Sequence, residues 1–222
     1  AKDRILVKKN DDNNVMSVTL LRLQDGRIAL FYLRRGIWPE MRLAVRFSSD
    51  EGETWTEPSF CINAPGYYVV NNDRVIQTST GRLIVPAAFH RCKKIPGSMR
   101  FEDGGFDGRA ISIFFLSDDA GATWREAKDW CVCTEDRRSA GLQEPGVVEL
   151  EDGRLFAYAR TGLGCQYGMY SCDQGETWSV PAPTQFLAPC SPLSIKRIPS
   201  NGALLAVWND KAEKYGLPEP KD

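Results

Sequence analysis

The stretch Ser48-Ser49-Asp50-Glu51-Gly52-Glu53-Thr54-Trp55 decides the fold, because the chain writes it three times. Ser117-Asp118-Asp119-Ala120-Gly121-Ala122-Thr123-Trp124 and Ser171-Cys172-Asp173-Gln174-Gly175-Glu176-Thr177-Trp178 align with it without gaps, and all read S-x-D-x-G-x-T-W. The chemistry is that of a hairpin turn. The Asp carboxylate can accept from backbone N–H groups inside the turn, and Gly supplies a residue with φ > 0. The Trp is a large apolar plug suited to packing between neighbouring sheets. Strand-like runs precede the turns, as in Leu43-Ala44-Val45-Arg46-Phe47 and Ile111-Ser112-Ile113-Phe114-Phe115, so each turn is expected to join antiparallel strands.

A second repeat interleaves with the first. Leu23-Gln24-Asp25-Gly26-Arg27-Ile28-Ala29-Leu30 matches Leu150-Glu151-Asp152-Gly153-Arg154-Leu155-Phe156-Ala157, with looser copies at Thr80-Gly81-Arg82-Leu83 and Asn201-Gly202-Ala203-Leu204. Asp-Gly or Asn-Gly between β-rich runs is a strong short-range hairpin signal. The order becomes strand, D-G turn, strand, loop, strand, S-x-D-x-G-x-T-W turn, strand. Such four-stranded meanders, repeated, are propeller blades. The units fall near residues 13–60, 68–130, 141–185 and 189–222, the last showing only its first hairpin. The chain therefore reads as all-β, a single partial β-propeller of about three and a half blades.

Bulk properties agree with a turn-rich globular protein: 222 residues, 42% hydrophobic, 26% charged, 19 Gly and 13 Pro. A net charge of −1 gives no basis for a nucleic-acid partner or an anionic membrane surface. No apolar run approaches a membrane-spanning length. The N-terminus, Ala1-Lys2-Asp3-Arg4, carries no initiator Met and no signal pattern, so it reads as trimmed, and localisation is not legible. Seven cysteines (Cys61, Cys92, Cys131, Cys133, Cys165, Cys172, Cys190) make an odd count without regular spacing, which reads as buried free thiols rather than a disulfide framework. Cys131 and Cys133 have no second ligand pair nearby, so neither a metal site nor a cofactor is expected.

The S-x-D-x-G-x-T-W motifs resemble the Asp boxes of the sialidase (neuraminidase)-like superfamily, over essentially the whole chain. That resemblance implies a six-bladed propeller, of which this sequence would be an incomplete ring; a piece of a longer protein is expected, and a smaller closed ring is the alternative. Asp boxes are structural turns that also occur in non-enzymatic propellers, so function has to be argued from the site. In a propeller, ligands meet the openings of first strands and the ends of second strands around the central channel.

The third unit carries Gln143-Glu144-Pro145-Gly146 at the opening of its first strand and Arg160 at the close of its second. By the resemblance, Glu144 is the carboxylate that activates a tyrosine nucleophile, and Arg160 is one of three arginines gripping a substrate carboxylate. The chemistry agrees: a phenol with a pKa of about 10 needs a base at neutral pH, and a guanidinium fork matches a carboxylate. The second unit offers Asn71-Asn72-Asp73-Arg74, whose Asp73 resembles the family's acid/base Asp; Asp12 is the alternative, one unit earlier. Asn72 and Arg74 are candidate substrate contacts, and Arg74 could instead pair with Asp73. His90, the only histidine, shares the repeat position of Arg160 and of Arg34 or Arg35 in the first unit; of those two, one side chain should face inward and the other outward. Arg35 is taken as the candidate ligand. Pro189-Cys190-Ser191-Pro192 is loosely similar to a segment at a comparable blade start. Arg197-Ile198-Pro199 is read as lying in a later strand. The nucleophilic tyrosine is expected beyond Asp222.

Two functions follow. One is an exo-acting glycoside hydrolase of sialidase type, acting on terminal sialic acid or a related acidic sugar and retaining through tyrosine, with this chain inactive in isolation. The other is a carbohydrate- or protein-binding propeller without hydrolysis.

Overall fold

The computed structural model describes residues 14–93, 105–136 and 140–210. Asp12, and the chain beyond Asp210, lie outside them. All fifteen named elements are strands. The first unit holds β1 (Asn14–Arg22), β2 (Ile28–Arg35), β3 (Met41–Ser48) and β4 (Ser59–Phe60). The second holds β5 (Tyr67–Val69), β6 (Ile76–Gln77), β7 (Leu83–His90), β8 (Ile111–Ser117) and β9 (Arg125–Cys131). The third holds β10 (Gln143–Glu149), β11 (Leu155–Arg160), β12 (Cys165–Ser171) and β13 (Ala182–Leu187). Within the described residues the fourth contributes β14 (Ser194–Arg197) and β15 (Leu204–Val207).

Two features were not written in the repeats. The first two units are not separate sheets: a parallel pairing of Met41 with Tyr67 joins them into one nine-stranded sheet. The first strand of the second unit is also broken, into β5 and β6, because the polar run Asn71–Arg74 leaves the sheet between them. Both halves pair with β7.

Period-two alternation sends successive side chains to opposite faces, and the core forms where the faces of consecutive units meet. Leu83, Val85 and Ala87 on β7 pack toward Phe31, Leu33, Leu43 and Val45 of the first unit. Their neighbour Ile84 faces the other way, with Phe114 and Leu116, onto Leu155, Ala157 and Met169 of the third. Val148, Phe156 and Tyr158 then meet Leu193 and Ile195 of the fourth. Each buried side chain of this size contributes about 1.5–3 kcal/mol, so these interfaces hold the units in order.

The motif tryptophans seat themselves in the same direction. Trp124 of the second unit meets Phe31 of the first edge-on, ring centroids 6.2 Å apart. Trp178 of the third stacks on Phe114 of the second at 4.1 Å. Four of the cysteines (Cys61, Cys131, Cys133, Cys165) are buried free thiols, but Cys172 and Cys190 are exposed and Cys92 is half-buried. Cys172 occupies a motif position whose side chain points out of the turn; Cys190 lies on the loop opening the fourth unit.

Both repeats turn the chain at one end of the sheets. Three of the D-G-type turns share one backbone pattern, Leu23 N to Arg27 O at 2.8 Å, Thr78 N to Arg82 O at 2.9 Å and Leu150 N to Arg154 O at 2.8 Å, and the fourth is one residue longer, Ile198 N to Ala203 O at 2.8 Å. The loops between the second and third strands, and those returning from the last strand to the next unit, lie at the opposite end. That opposite end carries the candidate site.

Candidate functional site

Glu144 opens β10 and Arg160 closes β11, and their register brings them together: Gln143 pairs with Arg160, and the register shifts before Gly146. The Arg160 guanidinium donates from Nη2 to Glu144 Oε1 at 3.2 Å and to Gln143 Oε1 at 2.8 Å, and from Nη1 to the Cys190 carbonyl at 3.0 Å. Asn71 of the second unit donates to the other Glu144 oxygen at 3.0 Å. The Gln143 amide in turn donates to Gly108 O at 2.9 Å. Arg160 and Glu144 side chains are 23% and 20% exposed, so this is a half-buried pair open to solvent. A carboxylate held by one cation and one amide, beside a guanidinium that contacts two units, can bind an anion or accept a proton.

The remaining expected residues divide. Asp73 is exposed, and its carboxylate pairs with Lys196 of β14 at 2.9 Å, not with Arg74. Its backbone N–H donates to Val18 O of the first unit at 3.0 Å. Asn72 beside it is exposed, and its N–H donates to Asn71 Oδ1 at 2.7 Å. Arg74 turns inward and is only 4% exposed; its N–H donates to Thr19 Oγ1 at 3.1 Å and its Nη1 to the Tyr158 hydroxyl at 3.1 Å. The alternative, an Asp73–Arg74 pair, is not formed, because neighbouring residues at this break in the strand point apart. The Tyr158 hydroxyl also accepts from Ile195 N at 3.0 Å. One phenol therefore ties the second, third and fourth units beneath the site, and burial pushes its pKa up against the pull of Arg74.

His90 ends β7 as expected but is buried, stacked on Phe106 with centroids 4.7 Å apart. Its Nδ1 donates to the Asp107 carbonyl at 3.1 Å. Burial pulls the ring below its ordinary pKa, so the neutral form is favoured with the proton on Nδ1. Asp107 itself is pulled to about 2, chiefly by hydrogen bonds from Arg109. Arg34 and Arg35 split as alternation requires. Arg34 lies over the Phe60 ring at 5.3 Å, while the charge of Arg35 acts on Tyr67, whose phenol burial pushes up. Arg197 lies on the first strand of the fourth unit, correcting its placement in a later one. It sits at the turn end, though, where its guanidinium is spent on the Gly202 and Glu149 carbonyls.

One feature of the site carried no mark in the sequence. Six described non-glycine residues have left-handed backbones. Glu51, Ala120 and Gln174 fill the fourth position of the three Asp boxes, one each. The others are Ser17 (φ +58°), Asp73 (φ +57°) and Glu144 (φ +47°). Each stands in, or in the break of, the first strand of its unit, where the pairing with the second strand slips. They lie nine, eight and nine residues before Gly26, Gly81 and Gly153 of the following turns. Such bulges re-aim a side chain, and left-handed non-glycine residues gather at functional sites. Glu144 is further confined by Pro145 behind it. A separate groove of about 460 Å³ lies between the third sheet and the β14–β15 hairpin, and none of Glu144, Arg160 or Asp73 lines it.

The chain was compared with known proteins. Residues 2–217 match the family described as BNR repeat-like domain. The anhydrosialidase of Macrobdella decora is 30% identical over 162 residues, which are 69% of this chain and 18% of that protein. Among solved structures, the Hadza microbial sialidase Hz136 superposes with a TM-score of 0.64 at 19% identity, over 89% of this chain and 40% of that one. Zg3597, a family 117 glycoside hydrolase of Zobellia galactanivorans, does so with a TM-score of 0.63 at 11% identity, over 93% of this chain and 66% of that one. At these identities the superpositions show a shared all-β fold. The chain spans less than half the length of the anhydrosialidase and of the Hz136 structure.

Proposed function

The chain belongs to the sialidase-like BNR repeat superfamily, and from that premise we propose that it forms part of a six-bladed propeller whose whole protein is an exo-acting glycosidase for terminal sialic acid or a related acidic sugar. The observation that carries this reading is the Glu144–Arg160 pair, which opens and closes adjacent strands at the loop end and is fixed from two sides by Asn71 and Gln143. Arg160 takes the sugar carboxylate, exchanging its bond to Glu144 for a bidentate grip. Glu144, released from that bond, takes the proton of a tyrosine nucleophile supplied from outside these residues as the phenol oxygen bonds the anomeric carbon and the glycosidic bond breaks through an oxocarbenium-like transition state. Water then displaces the tyrosine, which regains its proton, and the second inversion gives a retained product. Asp73, in preference to Asp12, protonates the leaving oxygen. Lys196, which holds the Asp73 carboxylate, and the buried Arg74–Tyr158 strut keep it in position. Asn72 and Arg35 border the sugar, and His90 braces the second unit from behind.

The test is release of a fluorophore from a sialoside by the whole protein. Glu144→Gln should cut turnover by about 10²-fold or more while sugar binding persists through Arg160. A Glu144→Gln protein with wild-type rate would remove this mechanism. The second reading, a binding propeller without hydrolysis, is favoured by one fact: each Glu144 oxygen already accepts a hydrogen bond within the protein. A wild-type protein that binds the sugar and releases no fluorophore would establish it instead.

A further inference from the structure

The three left-handed residues in the first strands form one structural class, and two of them, Asp73 and Glu144, carry the roles proposed above. The third, Ser17, has no role in that scheme. It sits in the first unit where the pairing of β1 with β2 slips between Met16 and Thr19. It abuts Asp73, since the Asp73 N–H donates to the carbonyl of the next residue, Val18, and Arg74 N–H donates to Thr19 Oγ1. The segment 17–19 and the segment 73–74 thus line one place between the first and second units.

Serine is an expensive occupant there. A left-handed backbone costs an L-residue free energy that glycine is spared, and something has to offset it. In the Asp boxes the left-handed residue lies within a loop closed by its own hydrogen bonds, so the turn supplies the compensation. Around Ser17 no such loop exists. Its half-buried hydroxyl makes no hydrogen bond with any described residue, in contrast to the Glu144 carboxylate, which makes two. A free hydroxyl on a strained bulge, next to Asp73 and at the repeat position that Glu144 holds in the third unit, is placed for a ligand.

Resting on the glycosidase reading, we infer that Ser17 is a substrate-contacting residue whose hydroxyl exchanges a hydrogen bond with a hydroxyl of the bound acidic sugar. The chemistry selects that partner. A serine hydroxyl is uncharged at every working pH and both donates and accepts, which suits a sugar hydroxyl; it brings neither a charge for the carboxylate nor a titrating proton. Ser17 therefore discriminates among sugars, and Arg160 and Glu144 do not share that task.

Two variants of the full chain separate contact from structure. Ser17→Gly removes the hydroxyl and relieves the backbone; Ser17→Ala removes the hydroxyl and leaves the backbone strained. Binding of free sialic acid should weaken by about 3- to 10-fold in both, the size of one hydrogen bond. The melting temperature should rise by about 2–4 °C in Ser17→Gly alone. Among singly deoxygenated sialic acids, one should bind wild type and Ser17→Ala equally, which identifies the contacted hydroxyl. A stabilised Ser17→Gly that binds sialic acid as wild type does overturns the inference by itself. A wild-type whole protein that binds neither sialic acid nor a related acidic sugar such as a hexuronic acid overturns the glycosidase reading, and the role of Ser17 with it.

Discussion

The two ends of the sheets use left-handed, non-glycine residues in equal number and to opposite effect. At the turn end, Glu51, Ala120 and Gln174 lie in loops that close on themselves. In each box the serine hydroxyl bonds the Asp and accepts from the Gly N–H, while the Asp accepts from the Thr N–H and hydroxyl, with distances of 2.5–3.0 Å throughout. At the loop end, Ser17, Asp73 and Glu144 reach outward, to nothing, to Lys196 and to Arg160 with Asn71. The teaching is that one repeated architecture can be self-sufficient at one end and left open for partners at the other. Mutations at the turn end should therefore move stability, and mutations at the loop end should move binding.

The largest stability effect is expected from Trp178→Ala. This side chain is 8% exposed, stacks on Phe114 at 4.1 Å and closes the interface between the second and third units. Its truncation should cost about 3–5 kcal/mol, measured by denaturant unfolding. Trp124→Ala should cost less, because that ring is only partly buried and meets Phe31 edge-on. Trp124 keeps a bond from Nε1 to Gly121 O at 3.1 Å, whereas Trp178 Nε1 is buried without a partner; stacking has displaced the turn's own hydrogen bond. Equal losses at the two positions would break the claim that the inter-unit stack, not the turn, is what Trp178 supplies.

Asp173→Ala comes next. It deletes the acceptor for the Ser171 hydroxyl and for the N–H and hydroxyl of Thr177, and should cost about 1–3 kcal/mol without altering sugar binding. A weakened affinity in this variant would mean that the two ends are coupled, against the division drawn here.

What the sequence disclosed follows the same division. A closed turn needs Asp, Gly and Thr at fixed spacing, so its chemistry is written locally; of the looser D-G copies, the one at Thr80 makes the same turn and the one at Asn201 a turn one residue longer. The loop end is assembled from residues far apart in the chain. Asn71 reaches Glu144 across 73 positions, and Lys196 reaches Asp73 across 123; no spacing rule announces either. Glu144 and Arg160 were singled out by the family resemblance, and they meet because they are the ends of one hairpin. The bulges at Ser17, Asp73 and Glu144 were not legible, since glycine, the usual mark of a left-handed residue, is missing from all three. The same omission left open whether Asp73 and Arg74 pair; the bulge turns them apart.

Acid should separate the two ends in order. His90 is pulled below the ordinary histidine range by burial, so its folded-state value lies under the unfolded value of about 6.5. Its contribution is complete above that value and is lost as pH falls through the folded one, because the unfolded state binds the proton first. The box carboxylates are also depressed, Asp50 to about 2 and Asp119 in the same direction, mainly through the threonine hydroxyls. Their contribution is complete above about 3.9 and is lost only as pH falls toward 2. The protection factors of amides around β7 and β8 should therefore begin to fall below about pH 6.5, while the Asp-box amides keep theirs to about pH 4. His90→Phe should remove the first step. Simultaneous loss of protection at both ends would break the comparison.

The smallest expected effect sharpens it most. Ala120 has a left-handed backbone (φ +53°) with no side chain beyond Cβ to repay the cost, and its carbonyl accepts from Arg27 at 2.9 Å. Ala120→Gly keeps that carbonyl and removes the steric penalty, so the protein should gain about 0.5–1 kcal/mol and bind sugar as before. Ser17→Gly makes the same exchange at the other end and should gain similar stability while losing affinity. The pair isolates what a left-handed side chain is for: at Ala120 it is a cost that the turn absorbs, and at Ser17 it is the group a ligand meets. If Ala120→Gly lost affinity too, the penalty at both ends would be structural and the loop end would hold no special place.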